Sequence, residues 1–159
     1  MNDFQKEVKD RIASNARDER LKSDAAAFMR SSIASQYSYN FSWLGRPIIQ
    51  YPQDMIAMQE LIWSIQPDLI IETGIAHGGS LIFSASMLEL NAACGGPQDA
   101  SVLGVDIDIR PHNRQAIEAH PLYRRIEMIQ GSSVAPEVVG QVRARATGRQ
   151  RILVCLDSN

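Results

Sequence analysis

Apolar residues recur every four positions at Phe4, Val8 and Ile12 inside an otherwise polar stretch that runs to about Ser35, and this spacing predicts a short amphipathic helix. From Gln36 to Gln50 the period is lost and the chain turns aromatic, with Tyr37, Tyr39, Phe41 and Trp43 followed by the turn formers Gly45 and Pro47; a packed loop, serving as a lid or a subunit contact, is expected there. Pro52 suits the first position of a helix, and Met55, Met58, Leu61, Ile62 and Ile65 keep helical spacing until Pro67 ends it. The apolar run in Asp68-Leu-Ile-Ile-Glu-Thr-Gly then reads as a strand buried on both faces. A helix follows from about Gly79, a Gly/Pro loop spans Asn91 to Ser101, and Val102 to Val105 forms a second strand ending in Asp106. Arg114 to Ala119 is helical, Arg125 to Ile129 a third strand, Val134 to Ala146 another helix, and Arg151 to Leu156 a fourth strand ending in Asp157. Strands alternating with helices predict a parallel sheet with right-handed crossovers, hence a doubly wound α/β fold.

The length of 159 residues suits one hydrophobic core. Composition narrows the class without naming it: 45% hydrophobic and 21% charged residues are ordinary for a globular domain, and a formal charge of -2 gives no electrostatic case for a nucleic-acid partner. The arginines at 143, 145, 149 and 151 read as a solvated helix face. Cys94 and Cys155 form no zinc-ligand spacing, and the N-terminal region carries no signal-peptide core, so free thiols, a cytoplasmic location and no membrane span are expected. The last strand is followed by no helix that would cover its second face, from which a sheet truncated after the fourth strand is expected.

The chemistry concentrates in Glu72-Thr-Gly-Ile-Ala-His-Gly-Gly-Ser80, a glycine-rich turn between a buried strand and a helix. Glycines there let the backbone turn sharply and let a ligand approach the main chain, while the helix N-terminus favours an anion. A carboxylate at the tip of the neighbouring strand suits ribose hydroxyls, and Asp106 stands there with Asp108 two residues on. A nicotinamide fingerprint would read GxGxxG with an acid about 20 residues on. Here Ala76 and His77 follow Gly74, and Asp106 lies 32 residues beyond it. A phosphate loop of the Gly-Lys-Ser/Thr kind is also absent.

The chain resembles class I S-adenosyl-L-methionine-dependent O-methyltransferases that use a divalent cation, through Glu72-x-Gly74-x-x-x-Gly78-x-Ser80, Gly104-Val105-Asp106 and Leu156-Asp157. It resembles more closely the cephalosporin hydroxylase / rhamnosyl O-methyltransferase family, over roughly residues 36 to 159, through Trp43-Leu-Gly-Arg-Pro, Tyr51-Pro-Gln-Asp, the glycine turn and Asp106-Ile-Asp-Ile-Arg-Pro. The resemblance implies a Rossmann-like fold in which residues 51–159 are the N-terminal half of the donor-binding domain and residues 1–50 a helical and aromatic lid or subunit contact. It also implies that Glu72, Gly74, His77, Gly78, Gly79 and Ser80 line the methionine end of the donor. Asp106, with Asp108, would take the ribose, and Ser132 and Ser133 would border the adenine. Asp157 would hold Mg2+ or a similar cation beside the transferred methyl group, as the catalytic and metal residue, with its companion ligands on a later strand.

The expected function is therefore an S-adenosylmethionine-dependent, cation-assisted O-methyltransferase acting on a sugar hydroxyl or another small hydroxylated acceptor, in a chain able to self-associate as a homo-oligomer. Two alternatives stand beside it: a non-catalytic ligand-binding or assembly subunit, and a hydrolase suggested by His77-Gly-Gly but lacking any GxSxG nucleophile elbow. Hydroxylase chemistry is discounted, because no 2-His-1-carboxylate set is present. His77 within the turn is read as a backbone or donor contact ahead of a general base, and His112 and His120 as surface or capping residues. Tyr39, Phe41 and Trp43 are read either as acceptor-pocket walls or as packing.

Overall fold

The five residues Leu69–Thr73 are all buried, as a strand without a polar face must be when it lies in the middle of a sheet. In the structure, a computed structural model that describes residues 3–157, they form β3. Around it lie β4 (Ser101–Asp106), β5 (Ile126–Gln130) and β6 (Ile152–Leu156), all parallel, in the order β5-β4-β3-β6. The chain thus builds outward from β3 to β5 and then returns to the other side of β3. The reversal opens a crevice beyond the carboxyl ends of the strands. Register lines those ends up: Thr73 pairs with Val105 on one side and Leu156 on the other, and Asp106 pairs with Gln130.

Alternate residues of each strand point to opposite faces, and the two cores reflect this. Ile70, Val102 and Ile126 pack with α3 (Pro52–Ile65), α4 (Gly79–Ala93) and α5 (Pro111–Glu118) through Ile62, Leu81, Leu88 and Ile117. Leu69, Ile71, Leu103, Val105 and Ile129 pack against α6 (Pro136–Ala146) through Val138 and Val142. The sheet is therefore doubly wound. On the α6 side of β6, Val154 is 53% and Leu156 80% exposed, whereas Leu153 and Cys155 on its other face join the first core.

The aromatic stretch expected to be a loop is ordered as an antiparallel hairpin, β1 (Phe41–Trp43) and β2 (Arg46–Ile48). Its turn uses Leu44 and Gly45, both at positive φ. Ile48 is buried and Phe41 and Trp43 pack on the first core, the Trp43 ring meeting Phe83 edge-on at 5.0 Å.

The chain divides into two units, Met1–Ser38 and Tyr39–Asn159, so the hairpin belongs with the sheet and not with the N-terminal segment. Within the first unit α1 (Asp3–Asn15) matches the four-residue repeat, and a second helix, α2 (Glu19–Ala34), follows it. Asp18 caps α2 by accepting from Leu21 N at 2.9 Å, and Phe28 and Tyr37 meet edge-to-face at 5.8 Å. Among the described residues no helix is long and apolar enough to cross a membrane.

Candidate active site

The carboxyl ends of all four parallel strands open into one cleft of about 450 Å³, within the size range of small-molecule sites. Its floor is the turn after β3, one wall is Asp106 and Ile107 after β4, and Ser132 and Ser133 follow β5. Asp157 closes the side next to β6, its backbone N–H donating to Thr73 O at 3.1 Å. Tyr39 and the hairpin exit Pro47–Gln50 form the remaining wall.

Of the residues expected at the donor site, Gly74, His77, Gly79, Ser80, Asp106, Ser132 and Ser133 line this cleft, as does the expected metal ligand Asp157. Glu72, Gly78 and Asp108 are not among the lining residues. Glu72 lies buried behind Ser80, whose hydroxyl donates to Glu72 Oε1. Burial, assisted by the negative charge of Asp157 and opposed by the Ser80 bond, pushes the Glu72 carboxyl up to about 7. Asp108 is exposed and gives its backbone N–H to Asp106 Oδ1 at 3.0 Å.

The two adjacent glycines serve the packing of the turn more than access for a ligand. A Cβ on Gly78, at φ +81°, would overlap Ile117 of α5; one on Gly79 would overlap Pro47 O and Ile48 of the hairpin. Elements that are far apart in sequence therefore close directly on the start of α4. Asp106 also organises the turn: its Oδ2 accepts from Ile75 N at 2.7 Å and Ala76 N at 3.3 Å. A carboxylate has about four acceptor positions, so these bonds leave capacity for a ligand hydroxyl.

Sequence reasoning noted Arg46 only within Trp43-Leu-Gly-Arg-Pro, without a role, and overlooked Asn113. Arg46 donates to His77 O from Nε at 3.0 Å and from Nη2 at 2.6 Å, and buried Asn113 donates to Ala76 O at 2.9 Å. No local signal marks a residue whose partner is a backbone carbonyl dozens of positions away.

His120 is a capping residue, Nδ1 accepting from Leu122 N and Nε2 contacting Leu44 O, while Phe41 and Trp43 pack in the core and Tyr39 alone of the aromatic trio lines the cleft. Of the expected arginine face, Arg143 and Arg145 lie on α6 with Arg143 exposed, but the helix ends at Ala146, and Arg149 instead donates to Asp68 O, Asp99 O and Ser101 Oγ beneath the sheet. Cys155 pairs with Glu72 in the sheet, at the cleft end of β6; burial, with the charges of Glu72 and Asp157, pushes its thiol up to about 11, which removes it as a nucleophile at neutral pH.

A parallel sheet wound on both faces, with a glycine turn over its first strand and an acid at the tip of the second, defines a Rossmann-like fold of the class I methyltransferase type. The Mg-SAM form of CmcI shares it with a TM-score of 0.54 at 20% identity, over 76% of this chain and 47% of that one. The SAH form of CmcI gives 0.52 at 18% identity, over 75% of this chain and 53% of that one. A family model described as Rhamnosyl O-methyltransferase/CmcI matches residues 35–159, and the chain belongs to that family. The rhamnosyl O-methyltransferase of Mycobacterium leprae (strain TN) is 32% identical over 106 residues, covering 64% of this chain and 40% of that protein. The chain thus spans about two fifths of the length of that curated relative.

Proposed function

We propose that the protein is an S-adenosylmethionine-dependent O-methyltransferase whose acceptor is a sugar hydroxyl or a similar small hydroxylated molecule. The observation that carries this reading is the convergence, in one cleft, of the start of α4, the glycine turn, Asp106 and the two serines after β5. These groups fit the donor piece by piece. The helix N-terminus suits its carboxylate, Asp106 its ribose hydroxyls, and the Ser132–Ser133 segment the edge of its base. The name of the Mycobacterium leprae relative and the Mg-SAM and SAH forms of CmcI point the same way.

When bound, the donor supplies an electrophilic methyl group on a sulfonium. The protein's own part is alignment: transfer is an in-line displacement, so a floor and walls that fix the donor and leave one open approach remove much of the entropic barrier. Tyr39 and Gln50, on the hairpin side, face the same cleft as candidates to meet the acceptor.

Cation assistance is the finer part of the reading. Asp157 offers one hard oxygen ligand at the cleft. Among the described residues no group of three or more His, Cys, Asp or Glu is placed to hold a metal ion, so these residues alone do not make a metal centre and no step is assigned to one. In this reading the protein works in the cytoplasm as a homo-oligomer.

The test is to incubate the protein with methyl-labelled S-adenosylmethionine and a panel of rhamnosides and other glycosides, with magnesium and with a chelator. Label on an acceptor oxygen is the expected result. Donor binding without transfer to any hydroxyl compound would favour the non-catalytic subunit.

A further inference from the structure

The turn Ile75–Gly78 is held from two sides. On one side Asp106 collects the N–H groups of Ile75 and Ala76. On the other, Arg46 and Asn113 collect the carbonyls of His77 and Ala76, and Arg46 Nη2 is bonded in turn to Asn113 Oδ1 at 3.2 Å. Ala76 sits at φ +45°, a left-handed conformation that is unfavourable for a non-glycine residue and persists only where its surroundings hold it. In a trans peptide the N–H opposes the C=O. Anchoring Ala76 O on Asn113 therefore fixes the direction of the His77 N–H, and anchoring His77 O on the guanidinium fixes the next peptide plane.

Arg46 is itself delivered by a hairpin with anchors of its own. Trp43 Nε1 donates to Ser86 Oγ at 3.0 Å, His120 Nε2 lies 3.1 Å from Leu44 O, and the missing Cβ of Gly79 admits the Pro47 carbonyl. Three separate parts of the chain, the hairpin, α4 and α5, meet at this one turn.

We infer that Arg46 and Asn113 are positioning residues of the donor cleft: mounted on the β1–β2 hairpin and on α5, they lock the Ala76–His77 turn in its donor-binding conformation. Neither residue lines the cleft, so the effect passes through the backbone of the turn. The inference rests on the donor reading above.

Calorimetry with S-adenosylhomocysteine on the protein and its variants tests it. Arg46→Ala and Asn113→Ala are each expected to weaken binding roughly tenfold, which is about 1.4 kcal/mol. Together they should weaken it by less than the product of the two, because the side chains share a bond. Arg46→Lys, which keeps one charged donor, should recover part of the loss and covers the case in which Arg46→Ala does not fold. Arg149→Ala is the control, since it removes a comparable set of bonds to backbone carbonyls at the opposite end of the sheet. It should lower the melting temperature and leave donor affinity alone. Wild-type affinity in Arg46→Ala, or an equal loss in Arg149→Ala, overturns the inference. Absence of binding by the unaltered protein overturns the donor reading instead. Amide exchange of residues 76–80 without ligand separates the two cases: faster exchange in Arg46→Ala supports the lock, and unchanged exchange refutes it whatever the donor.

Discussion

Glu72 is the residue whose chemistry departs furthest from its ordinary state. Its carboxyl is raised from 4.5 to about 7, chiefly by burial. A carboxyl raised on folding stabilises the folded state fully below its unfolded value, and that contribution is lost as pH rises through the folded value. Between pH 5 and 8 this one group therefore works against stability, by on the order of 3 kcal/mol at the top of the window. Glu72→Gln, which still accepts from Ser80, should gain stability relative to the unaltered protein as pH rises across that window. Urea unfolding of both at pH 5 and pH 8 measures the difference, and parallel pH profiles would show that Glu72 is not buried as described. The glycine turn and its flanking acids were legible in the sequence because strand, turn and helix are consecutive. The burial of Glu72 behind Ser80 was not, since an acid at a strand end looks the same whether it faces a cleft or a core.

At the scale of elements, the hairpin carries most of what periodicity could not show. Strands of three residues are too short for alternation to register, and their aromatic content suits a packed loop equally well. α2 is a different case, since Leu21, Ala25, Met29 and Ile33 recur every four residues behind the capping Asp18, a helical pattern that the reading of this stretch as simply polar passed over. Longer elements were readable: the predicted strands at 102–105, 125–129 and 151–156 all fall within one residue of those observed, and the helix after Pro52 ends at Ile65 as its spacing requires. The hairpin's closeness to α4 yields a direct prediction. Gly79→Ala places a methyl group against the Pro47 carbonyl, and because that carbonyl is backbone, the hairpin must shift as a body. A loss of about 1–3 kcal/mol in urea unfolding is expected, typical of overpacking, together with weaker donor binding. A neutral effect on both would mean that the hairpin does not close on α4.

For the whole molecule, the doubly wound parallel sheet followed from alternating strand and helix patterns, and the strand order β5-β4-β3-β6 confirms it. The position of the cleft follows from that order, because the reversal beside β3 brings Thr73, Asp106, Ser132 and Asp157 to one mouth. Less readable was the division of labour inside the site. Glycine positions such as Gly78 seemed reserved for a ligand and instead admit α5, while Arg46 drew notice only as part of a motif without a role. The central claim is that this mouth binds a sulfonium nucleoside with Asp106 on its ribose. The most direct measurement is titration calorimetry with S-adenosylhomocysteine on the protein and on Asp106→Ala. Saturable binding that falls at least tenfold in the variant is predicted; no binding by the protein at millimolar ligand, or equal affinity in the two, would contradict it.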